Sequence, residues 1–151
     1  MNKTSLELIV KVKEILDGID QDDYQLEYIK HVYEYPAQVI PAFPAITIEF
    51  DTCIREDITL GDARYLETYN VKIVGYIAWI DTKENYIALL KLDRAIKETL
   101  KANRVLETNI EATTWWRNST IPSSDYSTAK FEEFMCRSVT LTWSFEQVVI
   151  P

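Results

Sequence analysis

The chain has 151 residues, of which 47% are hydrophobic, and its formal net charge is −8. A chain of this length can bury a hydrophobic core without a metal or a disulfide staple, so residues 1–151 are predicted to form one domain. The acidic balance argues against tight DNA or RNA binding, which requires a basic surface, although DNA can slide past an acidic one. The simplest role of the negative net charge is to keep the protein soluble.

Composition also disfavours several other classes of protein. The apolar runs are shorter than the roughly 18 residues of a membrane span. The first residues lack the apolar core of a signal peptide, which predicts a cytosolic protein at synthesis. Cys53 and Cys136 are far apart and match no zinc or thiol-redox spacing. We therefore expect no membrane partner, no metal and no cofactor.

The first predicted element is an amphipathic helix over residues 4–17, opened by the capping-box sequence Thr-Ser-Leu-Glu. Three aspartates follow in a turn, but the remaining ligands of a calcium loop are absent, so a solvated turn is predicted. Residues 24–35 are rich in Tyr, Ile and Val and predict a strand. This strand contains His31, the single histidine, which has no nucleophile at a recognisable spacing and is interpreted as an ordinary strand residue.

Two irregular segments flank the next strand, which is predicted over residues 45–51. Residues 36–44 are broken by three prolines, yet carry Ile40 and Phe43, which predicts packing over the core edge or an interface. Residues 52–64 carry Ile54, Ile58 and Leu60 among charged residues. Because this second segment joins two strands, we expect it to form an extended β-arm.

A long strand over residues 65–80 and a helix over residues 82–101 form the organising unit of the chain. The strand is unusually long, so a bend is expected at Gly75. The buried stripe of the helix is predicted to contain Tyr86, Leu89, Leu90, Ile96 and Leu100, with Leu92 at its flank. Replacing Leu90 with alanine is accordingly expected to cost about 2–5 kcal/mol.

The remaining residues predict two further strands separated by a loop. Residues 109–116 form the first strand, in which Trp115 and Trp116 point to opposite faces, so one is expected at an edge or interface. Residues 118–128 contain Pro122 and several serines and predict the loop. Residues 137–147 alternate apolar and polar side chains, which is typical of a half-buried antiparallel strand.

The element order is therefore helix, strand, strand, long strand, helix, strand, strand. This order predicts an α+β fold: a mostly antiparallel mixed sheet with two helices packed on one face, plus an extended loop or β-hairpin. The polar and aromatic side chains on the other face favour partial cover by another subunit. No nucleophile and base are paired, and the adjacent Glu132 and Glu133 point oppositely in a strand-like run, so the chain is not expected to be an enzyme.

Three features carry a resemblance to a known family: the helix over residues 4–17, the strand-into-helix unit over residues 71–101, and the closing strand R-S-V-T-L-T-W-S-F-E-Q over residues 137–147. Together they resemble the tail terminator (tail-completion, or minor tail) proteins of long-tailed bacteriophages. The similarity spans most of the chain. The similarity lies in the order of the elements, the size of the chain and the character of the strands, because the family has no invariant catalytic motif.

The resemblance implies a structural virion protein that forms a hexameric ring. Such a ring caps the tail tube, ends tail elongation and joins the tail to the head connector, while DNA passes non-specifically through its centre. The implied partners are other copies of the chain, the tail tube protein and a head-completion or connector protein, first in the host cytoplasm and then in the virion neck. The candidates for the oligomer or tail-tube interface are Ile40, Phe43, Ile54, Ile58, Leu60 and Trp116.

Three alternatives remain open at the level of sequence. A head-completion or neck connector protein of the same virion would be a similar small ring former. A small α+β ligand-binding or enzymatic domain would need a concave site with convergent polar groups. A monomeric domain that forms no ring is the third alternative.

Overall fold

The computed structural model describes residues 5–19, 29, 31–38, 40, 42–57, 65–102, 117–120, 124–131 and 134–149. In chain order these residues form α1 (Ser5–Asp17), β1 (His31–Tyr33), β2 (Ala45–Asp57), β3 (Tyr65–Ala78), α2 (Lys83–Ala102), β4 (Arg117–Thr120), β5 (Ser124–Phe131) and β6 (Phe134–Val149). The predicted strand over residues 109–116 lies outside the described residues, as does most of the predicted strand over residues 24–35.

The strands of the described residues form one six-stranded sheet in the order β1-β2-β3-β6-β4, and β5 also pairs with β6. β1 runs parallel to β2, whereas the other pairings are antiparallel. Both helices pack on this sheet, which confirms the predicted α+β fold with a mostly antiparallel mixed sheet. Strand β6 lies inside the sheet, with β3 along one side and with β4 and β5 along the other.

One face of the sheet is apolar and carries both helices. Ile48 of β2 lies opposite Ile73 of β3, and Ile73 lies opposite Leu141 of β6, so the three side chains form a row across the sheet. They are buried in one cluster with residues of both helices, which include Val12, Leu16, Leu92 and Ile96. Every second residue of these strands and the apolar stripe of each helix thus pack together in a single core.

The other face of the sheet is polar along β6. Along β6, Ser138, Thr140, Thr142 and Ser144 alternate with the core residues Val139, Leu141 and Trp143. At one corner of this face, Ala37 and Ile40 pack with Ala45 and form a small second cluster. Part of the proline-broken segment therefore covers the sheet of its own subunit.

Gly75, where the sequence predicts a bend, marks a close approach between the sheet and α2. The pairing of β3 with β6 is continuous past Gly75, from Tyr65↔Val149 to Ala78↔Cys136. A Cβ atom on Gly75 would lie 2.9 Å from Leu92 Cδ2 and 3.1 Å from Ile96 Cδ1. The irregularity lies instead in β2, where the register with β3 shifts between Phe50 and Thr52.

Replacing Gly75 with alanine should destabilise the protein by about 1–3 kcal/mol, because the added methyl group overpacks the contact with Leu92. The free energy of unfolding from urea titration measures the effect. Combining Gly75→Ala with Leu92→Ala should cost less than the sum of the two single changes, since the smaller side chain makes room for the methyl group. Additive costs would contradict the close approach.

The buried stripe of α2 differs from the predicted one. Leu89, Ile96 and Leu100 are buried as expected, and Leu92 is fully buried although it was predicted at the flank. Tyr86 and Leu90 are 44% and 37% exposed, so their assignment to the core was wrong. The helix is rotated so that Leu92 contacts Gly75, which turns Tyr86 and Leu90 outward.

The predicted loop over residues 118–128 is also wrong for its described part. β4 ends at Thr120 and β5 begins at Ser124, and both pair with β6. Asn118 and Asp125 are unfavourable in strands in general but acceptable on a strand that borders the sheet. Pairing with the regular strand β6 overrides the local preference for a loop.

Candidate interaction surfaces

Six large apolar side chains form an exposed group around the start of α2. Trp79 and Ile80 follow β3, Met135 lies on β6, and the other three project from α2; all six are 37–57% exposed, and we call them the Trp79 patch: Trp79, Ile80, Tyr86, Ile87, Leu90 and Met135. Clustered exposed apolar residues of this kind mark interaction sites on soluble proteins. Trp, Tyr and Met are also enriched in protein interfaces.

Asn85 fixes the connection that carries this patch. Its backbone N–H donates to Thr82 Oγ1 at 3.1 Å, which places Thr82 as the N-cap of α2. Its side-chain Nδ2 donates to the carbonyl oxygen of Ala78 at 2.8 Å, and its Oδ1 accepts from the Ile80 N–H at 3.3 Å. The end of β3 and the start of α2 are therefore tied together by one side chain.

Arg137 supports the patch from β6. Its Nε donates to Asn85 Oδ1 at 2.8 Å, and its guanidinium carbon lies 4.0 Å from the ring centroid of Trp79 and 5.6 Å from that of Tyr86. A guanidinium over two aromatic faces is stabilised by cation–π attraction. The backbone N–H of Trp79 also donates to the Met135 carbonyl oxygen at 3.2 Å. The patch is thus held in place before any partner binds.

The exposed side of α2 is basic as well as apolar. Five cations project from the helix, namely Lys83, Lys91, Arg94, Lys97 and Lys101. Arg94 pairs with Glu98 at 2.9 Å and Lys97 pairs with Asp93 at 3.1 Å. Lys83, Lys91 and Lys101 form no ion pair with the described residues. This side of α2 therefore offers positive charge around Ile87 and Leu90, in a chain whose net charge is −8.

Asp93 attaches β5 to α2. Its Oδ2 accepts hydrogen bonds from Tyr126 Oη and from Ser124 Oγ, the latter at 3.3 Å, and pairs with Lys97. Asp93 is buried, and its Oδ1 has no hydrogen-bond partner among the described residues. Charge-assisted hydrogen bonds from two strand residues make this carboxylate the link between the helix and β5.

The second surface is an arm at the opposite end of the sheet. It consists of residues 51–57 of β2, residues 65–70 of β3 and the facing residues 144–149 of β6. Residues 51–57 are exposed, and Ile54 is 51% exposed. Asp51, Glu56 and Asp57 form no ion pair with the described residues. Residues 52–57 of the predicted β-arm are therefore a strand, whereas residues 58–64 lie outside the described residues. The strand over residues 51–57 is apolar at Ile54 and acidic at three positions.

Glu67 stabilises the arm from β3. It is buried, and it accepts from Tyr69 Oη, lies 3.6 Å from Cys53 Sγ and pairs with Arg55 at 3.6 Å. Burial raises the pKa of the Cys53 thiol, and burial together with the Glu67 carboxylate raises the pKa of Tyr69. Both groups are neutral near pH 7, so this cluster is structural and contains no activated thiolate.

Alkaline pH should lower the stability of the protein. A hydrogen bond to Asp93 raises the pKa of Tyr126, and burial raises the pKa of Tyr76 and of Cys136. Because the folded state holds these protons more tightly than the unfolded chain, the stabilisation is complete below the ordinary values of about 9 for Cys and 10 for Tyr. It is lost as the pH rises above them.

Urea titrations at intervals from pH 8 to about pH 11 measure this loss. Tyr126→Phe removes one of the titrating groups, so its decline should be shallower than that of the unmodified chain. A flat profile through pH 11 would contradict the assignment.

The structure describes three of the six predicted interface residues. Ile40 is 5% exposed and lies in the small second cluster, and Phe43 packs against the same cluster. Of the two roles predicted for the proline-broken segment, an interface or packing over the core edge, both residues have the second. Ile54 is exposed on the arm. Ile58, Leu60 and Trp116 lie outside the described residues.

The Trp79 patch was not predicted from the sequence. Residues 74–80 are almost wholly apolar, which is typical of a strand covered on both faces and not of an exposed surface. The sequence contains one signal of this surface. Tyr86 and Leu90 lie among Lys83, Lys91 and Arg94 on the helix. Cations on both sides of an apolar pair favour a surface position.

The described residues contain no group of three or more His, Cys, Asp or Glu side chains that could hold a metal ion. In the same part of the chain, no helix is long and apolar enough to cross a membrane. No protein-family model matches the sequence, and no curated protein is similar to it.

Proposed function

We propose that the chain is a structural virion protein that forms a hexameric ring, caps the phage tail tube, ends tail elongation and joins the tail to the head connector. The observation that carries this proposal is the pair of exposed surfaces, the arm and the Trp79 patch, at opposite ends of one sheet. A subunit with two different surfaces can contact two neighbours at once, as a closed ring requires.

Three further features support a structural role. The arm continues strands of the core, so it is a rigid projection and not a loop. The Trp79 patch is preorganised by Asn85 and Arg137, which reduces the entropy lost on binding a partner. The acidic balance of the chain disfavours retention of DNA that passes through a ring.

Binding of the purified protein to purified tail tubes tests the proposal. Electron microscopy should show a ring of density at the tube end, and tube elongation should stop when the protein is added. Binding to portal-containing heads and not to tubes would instead identify a head-completion or connector protein. A bound metabolite in native mass spectrometry, without tube binding, would favour the ligand-binding alternative.

Replacing Trp79 with serine should weaken tube capping at least about tenfold, because truncation of a central interface aromatic costs more than about 1.4 kcal/mol. The fraction of capped tubes as a function of protein concentration measures the loss. Tyr35→Ser is the matched control, since Tyr35 is an exposed aromatic residue outside the patch. Equal capping by the two variants would remove the patch from the proposed function.

A further inference from the structure

We propose that the arm of one copy binds the Trp79 patch and the adjoining basic side of α2 on the next copy, in a head-to-tail contact. This inference rests on the proposed ring and names the two surfaces that close it. It commits to a second copy of this chain as the partner of both surfaces. Four properties of the described residues lead to it.

The first property is distance along β3. Ile54 of the arm lies opposite Thr68, while Trp79 directly follows the last residue of β3, Ala78. At about 3.3 Å per strand residue, the two surfaces are roughly 35 Å apart. β3 pairs with β6 from Tyr65 to Ala78, so it cannot fold back on itself. The arm therefore cannot reach the patch of its own subunit.

The second property is complementary charge. The outer strand of the arm carries Asp51, Glu56 and Asp57, and its one cation, Arg55, is paired with Glu67. Helix α2 has five cations against three carboxylates, which gives it a net charge of +2. Opposite potentials favour the approach of one surface to the other and fix its orientation. They also disfavour contacts between two arms or between two α2 helices.

The third property is a match of apolar groups within those charges. Ile54 is the exposed aliphatic residue in the middle of the acidic strand, two residues before Glu56. On α2, Ile87 and Leu90 lie between Lys83, Lys91 and Arg94. Side chains alternate between the two faces of a strand, so Glu56 shares the face of Ile54. An aliphatic anchor with an acid beside it thus fits an apolar patch with cations around it. This arrangement has the apolar centre and polar rim of protein interfaces.

The fourth property concerns symmetry. Because the two surfaces differ, the contact is heterologous, and repetition of it closes into a ring or grows into a filament. Each subunit uses its arm on one neighbour and its patch on the other. The arm continues β2, β3 and β6, and Asn85 ties α2 to the end of β3, so the angle between successive copies is fixed by the fold of the subunit.

Disulfide cross-linking tests the contact in a Cys53→Ser background, which removes the exposed native thiol. A variant with both Ile54→Cys and Ile87→Cys is oxidised, alone and on tail tubes, and analysed by denaturing gel electrophoresis. We expect a ladder of covalent oligomers up to the size of the ring. A mixture of the two single variants should stop at dimers, because each molecule then carries one reactive surface.

The controls separate the inference from the proposed function. Ile54→Cys combined with Tyr35→Cys should give no ladder, since Tyr35 lies outside the patch. Rings without a ladder would overturn the inference and leave the proposed function standing. Dimers from either single variant alone would indicate an isologous contact and would also overturn it. Failure to bind tubes, together with a monomeric mass at every concentration, would overturn both.

Charge reversal provides an independent measurement. Glu56→Lys with Asp57→Lys should raise the dissociation constant of the oligomer at least about tenfold, because it places like charges across the contact. Adding Lys83→Glu and Lys91→Glu to the same chain should restore association. Failure of restoration, in variants whose unfolding midpoints are unchanged, would overturn the pairing of these two surfaces.

Discussion

Replacing Trp143 with alanine should lower the free energy of unfolding by about 3–5 kcal/mol. Trp143 is the largest of the fully buried side chains in the described residues, and it lies opposite Val71 in the core face of the sheet. Its removal would leave a cavity beneath the helices at the centre of the sheet. Urea unfolding followed by far-ultraviolet circular dichroism measures the loss.

Thr142→Val is the matched control for this experiment. Thr142 is the preceding residue of β6 and points to the polar face, where it is half-buried. Because valine has nearly the same shape and suits a strand, its effect should stay within about 0.5 kcal/mol. A loss for Trp143→Ala no larger than that of the control would contradict the burial of Trp143.

Leu92→Ala should cost about 2–5 kcal/mol, whereas Leu90→Ala should cost less than about 1 kcal/mol. The two leucines are close neighbours on the same helix, and alanine is a good helix former, so helix propensity affects both equally. They differ in burial, because Leu92 is fully buried against Gly75 and Leu90 is 37% exposed. The difference in unfolding free energy between the two variants therefore shows which side of α2 faces the sheet.

The same two variants separate stability from assembly. Leu90 belongs to the Trp79 patch, so Leu90→Ala should impair tube capping or ring formation while the protein stays folded. Leu92→Ala should lower stability and, at a temperature where the protein is still folded, leave the patch intact. The opposite ranking, with Leu90→Ala as the destabilising change, would support the stripe expected from sequence alone.

Much of the fold could be predicted because two elements have unambiguous patterns. The alternation in β6 fixes which side chains face the core, and the strand is even longer than predicted because its pairing with β3 continues to Val149. The hydrophobic stripe of α2 predicted the helix correctly. That stripe is broad, however, and periodicity alone does not tell which part of it contacts the sheet. The sequence therefore predicts Leu90 in the core and Leu92 at its flank, whereas the structure has Leu92 buried and Leu90 exposed.

The interaction surfaces were harder to predict. The arm and the exposure of Ile54 could be predicted because the segment that contains Ile54 joins two strands. The structure shows Ile54 exposed. Ile40 and Phe43 had the same apolar-in-loop signal but pack on their own sheet. An apolar residue near a proline has no local property that distinguishes these outcomes, because burial depends on the strand to which the segment returns. The support of Trp79 by Arg137 joins residues far apart in sequence, and sequence periodicity contains no information about it.

The position of β6 inside the sheet has a consequence for synthesis. β3 ends at Ala78 and its partner β6 ends at Val149, so roughly 70 residues must leave the ribosome before the two strands can pair completely. At typical elongation rates this takes about 4–14 s. During that time the β6-facing edge of β3 and the apolar side of α2 lack their final partner. Nascent chains that stall before β6 should therefore be the main source of aggregation, and chaperone demand should be greatest in this interval.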